Sequence, residues 1–253
     1  MRATQMSRTI LVTGARRGIG AAIAVGLAAP DLTLVLHHLA APDEAQSVAD
    51  RCQAAGARTR IVEADLSVAT EVLALAEAAG PVDVLVNNAA RASNVLIGEL
   101  PLTEWEATFA VNVTAPMLLS QALAPGMRAR GDGRIINITS ATVRMGGPSG
   151  PSYVSSKAAL VGLTRSLARA FGPDGTTVNA VSPGAIRTEG ERELAAGQPV
   201  DEAAVDAVIL QRQAVQRRLD PDDLVSTVRF LAGSDSAAVT GQVIEVGGGL
   251  VHR

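Results

Sequence analysis

The feature that most constrains this chain is a regular alternation of two hydrophobic rhythms. Short, nearly continuous apolar runs at Arg8–Val12, Thr33–His37, Arg58–Glu63, Val82–Asn87, Arg134–Thr139 and Thr176–Val181 read as strands. Gln242–Val246, closed by Gly247, Gly248 and Gly249, reads as a seventh. Helical spacing fills the gaps at Gly18–Ala29, Asp43–Ala55, Val68–Ala79, Thr103–Ala129, Ser152–Phe171 and Pro221–Ala232. Thr103 and Glu106 add a capping-box signature to the fourth of these. Strands without polar alternation suit a parallel sheet covered on both faces. Repeated strand–helix alternation implies right-handed crossovers, and so an α/β fold with a doubly wound parallel sheet of about seven strands. No repeat, low-complexity tract or linker divides the 253 residues, so one domain is expected over 1–253. One stretch breaks the rhythm. Thr188 to Leu219 has no strand pattern, many charges, a Gly197–Pro199 break and a helical segment from Asp201 to Gln216. It follows a strand's carboxyl end, where open α/β sheets bind ligands, so a helical lid near 188–219 and a plain surface hairpin fit it equally.

The first strand runs into Thr13-Gly14-Ala15-Arg16-Arg17-Gly18-Ile19-Gly20, and a helix follows. Glycines permit a tight turn and close approach of backbone to a pyrophosphate, and the helix N-terminus offers unpaired N–H groups. The spacing is G-x-x-x-G-x-G rather than the commoner G-x-G-x-x-G, and a purely structural turn is the competing reading. Its place at the first strand–helix turn favours a nucleotide.

Tyr153 is the only tyrosine and Lys157 the only lysine; arginine supplies every other basic chain. Drift toward arginine explains the missing lysines but not the survival of this one. Four residues apart, the pair shares a helix face. A free phenol, with a pKa near ~10, is a poor base at neutrality. A neighbouring ammonium favours the phenolate, so the pair is expected to lower the tyrosine pKa and exchange a proton with a substrate oxygen. Out of context, a Tyr and a Lys so spaced are an ordinary helix surface pair. Two further residues weigh against that. Ser140 follows the strand Arg134–Thr139, where a hydroxyl faces the crevice at the sheet's carboxyl edge. Asn112 lies inside the long helix four residues before Pro116, which has no N–H, so the Asn112 carbonyl loses its helical partner and is free to hold a water.

Together these segments resemble the short-chain dehydrogenases/reductases. The glycine turn, Asp65, Asn87-Asn88-Ala89, Asn112, Ser140, Tyr153-x-x-x-Lys157 and Ser182-Pro183-Gly184 stand in that family's order from Arg8 to Gly249. The resemblance implies a Rossmann-like domain, usually a homotetramer, and an NAD(P)(H)-dependent oxidoreductase that interconverts a ketone and a secondary alcohol. It implies Tyr153 as general acid/base, Lys157 as its tuner and ribose ligand, Ser140 as the group orienting the carbonyl, and Asn112 as support for a relay water. Gly14, Arg16, Arg17, Gly18, Ile19, Gly20, His38, Asp65, Leu66, Asn88, Ala89, Pro183, Gly184, Ile186 and Thr188 would line the cofactor. Each keeps a plainer reading: Asp65 as a cap for the helix near Val68, Asn87-Asn88 and Pro183-Gly184 as turns. Ala90 stands where the family usually has glycine, which either narrows the cleft or demands another backbone path.

NADP(H) is favoured over NAD(H). An NAD-selective site places an acid at the end of the second strand, where this chain has His38, and Arg17 is placed to meet a 2′-phosphate with Arg16 beside it. Solvent-exposed turn arginines are the competing reading. A second substrate reading is a 3-oxoacyl group on acyl carrier protein. Family members of that kind typically carry an arginine before the glycine leading into the sixth strand, and a second basic residue before the fifth. Here those positions are Asp174 and Gly131, with Arg128, Arg130 and Arg134 nearby. A reading from another class, a catalytically silent nucleotide-binding regulator, is opposed by the intact Asn112, Ser140, Tyr153 and Lys157 set.

Composition narrows the partners. A net charge of −3 gives no reason to expect nucleic acid or an anionic membrane. No uninterrupted apolar run approaches ~20 residues, so no membrane span is expected. Cys52 is the only cysteine, which suits a reducing cytoplasm, and no His/Cys/Asp cluster has metal-ligand spacing; His37 and His38, adjacent on a strand, point to opposite faces. The expected partner is a small carbonyl or alcohol, with a homotetramer or homodimer as the assembly.

Overall fold

A computed structural model describes residues 8–189 and 201–251. The strands are β1 (Arg8–Val12), β2 (Leu32–His38), β3 (Arg58–Glu63), β4 (Val84–Asn87), β5 (Arg134–Ile138), β6 (Thr177–Pro183) and β7 (Val243–Val246). They pair in parallel in the order β3-β2-β1-β4-β5-β6-β7. The order reverses between β1 and β4, which opens a crevice at their carboxyl ends. This is the doubly wound parallel sheet that the sequence rhythm implies and the Rossmann-like domain that the resemblance implies. β4, β5 and β6 are buried along their whole length, whereas β3 at one edge alternates exposed and half-buried residues, so Arg58 and Arg60 face out of the sheet.

The described helices are α1 (Gly18–Leu27), α2 (Pro42–Ala54), α3 (Ala69–Ala79), α4 (Leu102–Phe109), α5 (Ala115–Arg130), α6 (Thr142–Met145), α7 (Pro151–Phe171), α8 (Glu202–Arg212) and α9 (Val225–Ala232). Strand side chains alternate between two cores. Ile10, Val12, Leu34, Leu36, Val84, Val86, Ile136 and Ile138 join α1, α2 and α9 on one face. Leu11, Val35, Leu85, Ile135 and Val178 join α3, α5 and α7 on the other. At roughly 1.5–3 kcal/mol for each fully buried aliphatic chain, these two layers supply most of the fold's cohesion.

Several local expectations are corrected. The long helix starts at Leu102 after an N-cap at Pro101 with no side-chain cap. Thr103 is therefore already inside the first turn and exposed, and the capping box does not form. The same helix is interrupted by a π-helical turn over Ala110–Thr114, where the Ala115 N–H reaches back to the Ala110 carbonyl. Pro116 supplies no N–H to Asn112, and a π turn is how the helix absorbs the missing bond. The run Leu102–Arg130 is long and apolar enough in composition to cross a membrane, with 44% of its apolar window buried. Here its apolar side chains are spent against α3 and α7. α8 is shorter than Asp201–Gln216. Asp201 caps it by accepting from the Ala203 N–H (3.0 Å), and it ends at Arg212, where Gln213 turns inward and donates to the Val215 and Arg217 carbonyls. The Gly197–Pro199 break lies outside the described residues.

Candidate active site

The glycine turn is clasped from both sides of the switch point. On the β4 side, the Asn88 amide donates to the Thr13 and Gly14 carbonyls (2.9 and 3.1 Å), while the Asn88 and Ala89 N–H groups donate to the Thr13 hydroxyl (2.9 and 3.0 Å). On the β2 side, the His37 carbonyl accepts from the Ala15 N–H (2.8 Å) and the His37 ring accepts from the Gly14 N–H (3.0 Å). Glycine is required at two points. Gly14 has φ 64° and lies against Ala89, and a Cβ on Gly20 would stand 2.2 Å from the Gly14 carbonyl oxygen. α1 begins with Arg17 as its N-cap, with no side-chain cap and no acid in its first turn. Its leading N–H groups at Gly18, Ile19 and Gly20 are therefore an anion cradle, which fits a dinucleotide pyrophosphate.

Around this turn, Arg16 is ion-paired with Glu44 of α2 (2.5 Å). His38 is buried, and its Nδ1 accepts from the Ala41 N–H (3.3 Å). Asp65 accepts from the Ser67 N–H and hydroxyl (2.8 and 2.7 Å), bonds that hold its carboxyl below the usual range. It thus shapes the turn before α3, whose N-cap is Val68. The Leu66 side chain is buried in the core. Ala90 keeps a backbone outside the left-handed region and is exposed, so its methyl group demands no new backbone path. Pro183 ends β6, and its carbonyl accepts from the Ala141 N–H (2.9 Å). Gly184 packs against Gly247 so closely that a Cβ would lie 2.6 Å from its Cα. Ile186 bridges to Leu219, and Thr188 lies near Gly18, closing the far side of the crevice.

The proton-handling candidates converge on the ends of β4 and β5. Asn112, fully buried in the π turn, holds the main chain of Arg91 at both ends: its Oδ1 accepts from the Arg91 N–H (2.8 Å) and its Nδ2 donates to the Arg91 carbonyl (3.0 Å). Nδ2 also donates to the Ser156 hydroxyl (2.9 Å), which in turn donates to the Tyr153 carbonyl (2.7 Å). Ser140 accepts from the Thr142 hydroxyl (2.9 Å) and main-chain N–H (3.2 Å), and its own hydroxyl lies beside that of Tyr153. Lys157 is buried, donates to the Ile138 carbonyl (2.8 Å), and stands 5.7 Å from the centre of the Tyr153 ring.

The expected lowering of the tyrosine pKa is not what this arrangement produces. Burial pushes the Tyr153 hydroxyl up, and the neighbouring Ser140 hydroxyl pulls it only part of the way back. Burial also pushes Lys157 down to about 8. The Lys157 ammonium points at a main-chain carbonyl rather than at the phenol, so desolvation dominates.

Sequence reasoning quoted Thr13 only as part of the glycine turn and considered His37 only as a metal ligand. It gave no role to Ser156, nor to Asn137 and Thr164, which with Asn87 form a chain of bonds (2.8 and 2.9 Å) tying β4 and β5 to α7. Polar residues at the carboxyl ends of otherwise apolar strands were the available signal, since buried polar groups must find partners.

A doubly wound sheet with a glycine-turn cradle and a Ser/Tyr/Lys cluster at its switch point defines a nucleotide-binding enzyme class. The family model for short chain dehydrogenase matches residues 8–199. A 3-oxoacyl-[acyl-carrier-protein] reductase of Synechocystis is 36% identical over 250 residues, 97% of each chain. The crystal structure of a 3-oxoacyl (acyl-carrier-protein) reductase of Agrobacterium tumefaciens with NADP bound superposes with a TM-score of 0.88 at 33% identity, covering 96% of this chain and 93% of that one. A blue fluorescent protein from a metagenomic library, in complex with NADPH, superposes with a TM-score of 0.87 at 35% identity, covering 99% of this chain and all (100%) of that one. The chain belongs to the short-chain dehydrogenase/reductase family, a family of oxidoreductases.

Proposed function

We propose that this protein interconverts a ketone and a secondary alcohol with NADP(H), Tyr153 serving as the general acid/base. The observation that carries the reading is the gathering of Ser140, Tyr153 and the buried Lys157 at the carboxyl edge of the sheet, with the Lys157 ammonium 5.7 Å from the centre of the Tyr153 ring, on the same sheet edge as the glycine turn. When bound, the nicotinamide dinucleotide supplies or accepts the hydride. In the reducing direction, Tyr153 donates its hydroxyl proton to the carbonyl oxygen, which Ser140 holds in place. Lys157, fixed by the Ile138 carbonyl and 5.7 Å from the centre of the Tyr153 ring, would turn to a ribose hydroxyl of the bound cofactor and there favour recovery of the proton. Asn112 holds the Arg91 segment that walls the site, and its main-chain carbonyl, denied an N–H by Pro116, would hold a relay water. Gly14, Gly18, Ile19 and Gly20 would take the pyrophosphate; Asp65, Leu66, Asn88 and Ala89 the adenosine half; Pro183, Gly184, Ile186 and Thr188 the nicotinamide half. The test is cofactor oxidation across a panel of ketones, with binding measured separately by calorimetry. Dinucleotide binding with no turnover on any carbonyl would favour the silent regulator instead.

NADP(H) over NAD(H) is supported by the lack of an acid at His38, by Arg17 at the N-cap of α1, and by relatives crystallised with NADP or NADPH. A small free carbonyl is favoured over a carrier-bound one. Arg128 is ion-paired with Asp174 (2.6 Å), Arg130 with Asp83 (2.9 Å) and the buried Arg134 with Asp132 (2.7 Å). These arginines are neutralised, and they sit at the amino edge of the sheet, opposite Ser140. Acidic carrier proteins need free basic docking residues. The relatives named as carrier-protein reductases keep that reading in view; a strong, salt-sensitive preference for a carrier-bound 3-oxoacyl thioester over free ketones would establish it. A helical lid near 188–219 is supported by α8, whose Asp206 pairs with both Arg187 (2.7 Å) and Arg218. Family membership supports a cytoplasmic homotetramer or homodimer, which light scattering in solution would test.

A further inference from the structure

His37 is buried at 3% exposure, and both ring nitrogens are engaged. Nδ1 faces the Gly14 N–H at 3.0 Å, and Nε2 faces the Ala64 carbonyl at 3.0 Å. A main-chain N–H only donates and a carbonyl only accepts. The ring must therefore be neutral and carry its hydrogen on Nε2, with Nδ1 as acceptor. This ring joins three elements: the β1–α1 glycine turn, β2, and the segment that leaves β3. Gly14 is the first glycine of the turn, and its left-handed conformation (φ 64°) sets the path of the backbone toward the α1 N-terminus.

We propose that His37 is a positioning residue for the dinucleotide turn, and that its neutral form is required for tight cofactor binding. Protonation would place a second N–H against the Gly14 N–H, with no acceptor between them. The turn would then give up either its bond to His37 or its own geometry. Desolvation keeps the ring neutral in the resting protein by lowering its pKa below the ordinary 6.5. The charges that bear on the ring are His38, which opposes its protonation, and Asp65, which favours it. Arg16 and Arg17 lie on the turn it holds, and Glu63 ends β3. The proposal rests on the reading of the glycine turn as the pyrophosphate site.

The test is NADP+ binding by calorimetry from about pH 8 to about pH 5, comparing wild type with His37→Asn and His37→Leu. Asparagine places a non-titrating acceptor where Nδ1 stands. His37→Asn should bind within about threefold of wild type at pH 8 and lose the acid weakening that wild type shows. His37→Leu should bind about tenfold more weakly at every pH, the scale of one lost buried hydrogen bond. The titration of the cofactor's own 2′-phosphate is common to all three proteins and cancels in the comparison. Nitrogen NMR of the wild-type imidazole should show the Nε2–H tautomer. An acid limb that persists in His37→Asn, or an Nδ1–H tautomer, overturns the proposal even if His37→Leu does not fold. Failure of the wild type to bind NADP+ at any pH overturns the reading of the turn itself, and this proposal with it.

Discussion

Replacing Lys157 by methionine should stabilise the resting protein while removing its activity. Lys157 is buried and its pKa falls from 10.5 to about 8. Each pKa unit is worth about 1.4 kcal/mol, so holding the ammonium in the fold costs about 3 kcal/mol at neutral pH. Methionine has a similar length and no charge, but it leaves the Ile138 carbonyl without its donor, a loss of about 1–3 kcal/mol. The net gain at neutral pH is therefore about 0–2 kcal/mol. The pH dependence is the sharper signature. The unfolded chain keeps the lysine proton up to 10.5, whereas the folded chain loses it near 8. Between those values the unfolded state binds more protons, so wild-type stability rises with pH. The lysine's share of stability is complete above 10.5 and is lost as pH falls through about 8. Lys157→Met lacks this dependence, so its advantage should shrink by about 2 kcal/mol between about pH 7.5 and about pH 9.5. Urea unfolding of both proteins at matched concentration measures the difference, and titrations shared by the two cancel. A difference that stays flat across that window would refute the argument that desolvation governs Lys157.

Tyr153→Phe keeps the ring and removes the proton. Turnover should fall by ~100-fold or more with NADP+ binding preserved; retention of more than about a tenth of the activity would remove Tyr153 from the acid/base role. Because the Tyr153 hydroxyl titrates above its ordinary value, the protonated form dominates at neutral pH. Carbonyl reduction should therefore hold its rate through neutral pH while alcohol oxidation climbs with pH, and initial rates in both directions across a pH series check this. Arg17→Ala should weaken NADPH relative to NADH by about 1–3 kcal/mol in kcat/KM, the scale of charge-assisted hydrogen bonds; an unchanged ratio would mean that the turn does not select the cofactor.

Much of the fold was legible because strand and helix write different periods into a sequence. All seven strands lie where their apolar runs fall, and their parallel pairing follows from the alternation with helices, whereas their order across the sheet came only with the structure. Tyr153, Lys157, Ser140, Asn112 and the glycine turn were recognisable because their chemistry or spacing is local. Boundaries were less legible: Thr103 carries the letters of a capping box but falls inside the first turn because the helix begins at Leu102.

What the sequence alone determined is the doubly wound sheet and the identity of the residues that gather at its carboxyl edge. Which groups meet there was decided by tertiary structure. Two facts show the limit. The spacing of Tyr153 and Lys157 implied that an ammonium would lower the phenol's pKa, but burial raised it, because Lys157 turned to the Ile138 carbonyl of another element. His37 carried no readable signal until β1, β2 and β3 lay side by side, with the Gly14 N–H and the Ala64 carbonyl at its two nitrogens. Local spacing fixes which face of an element a side chain occupies. Desolvation and hydrogen-bond partners come from distant segments, and they exist only once the chain has closed.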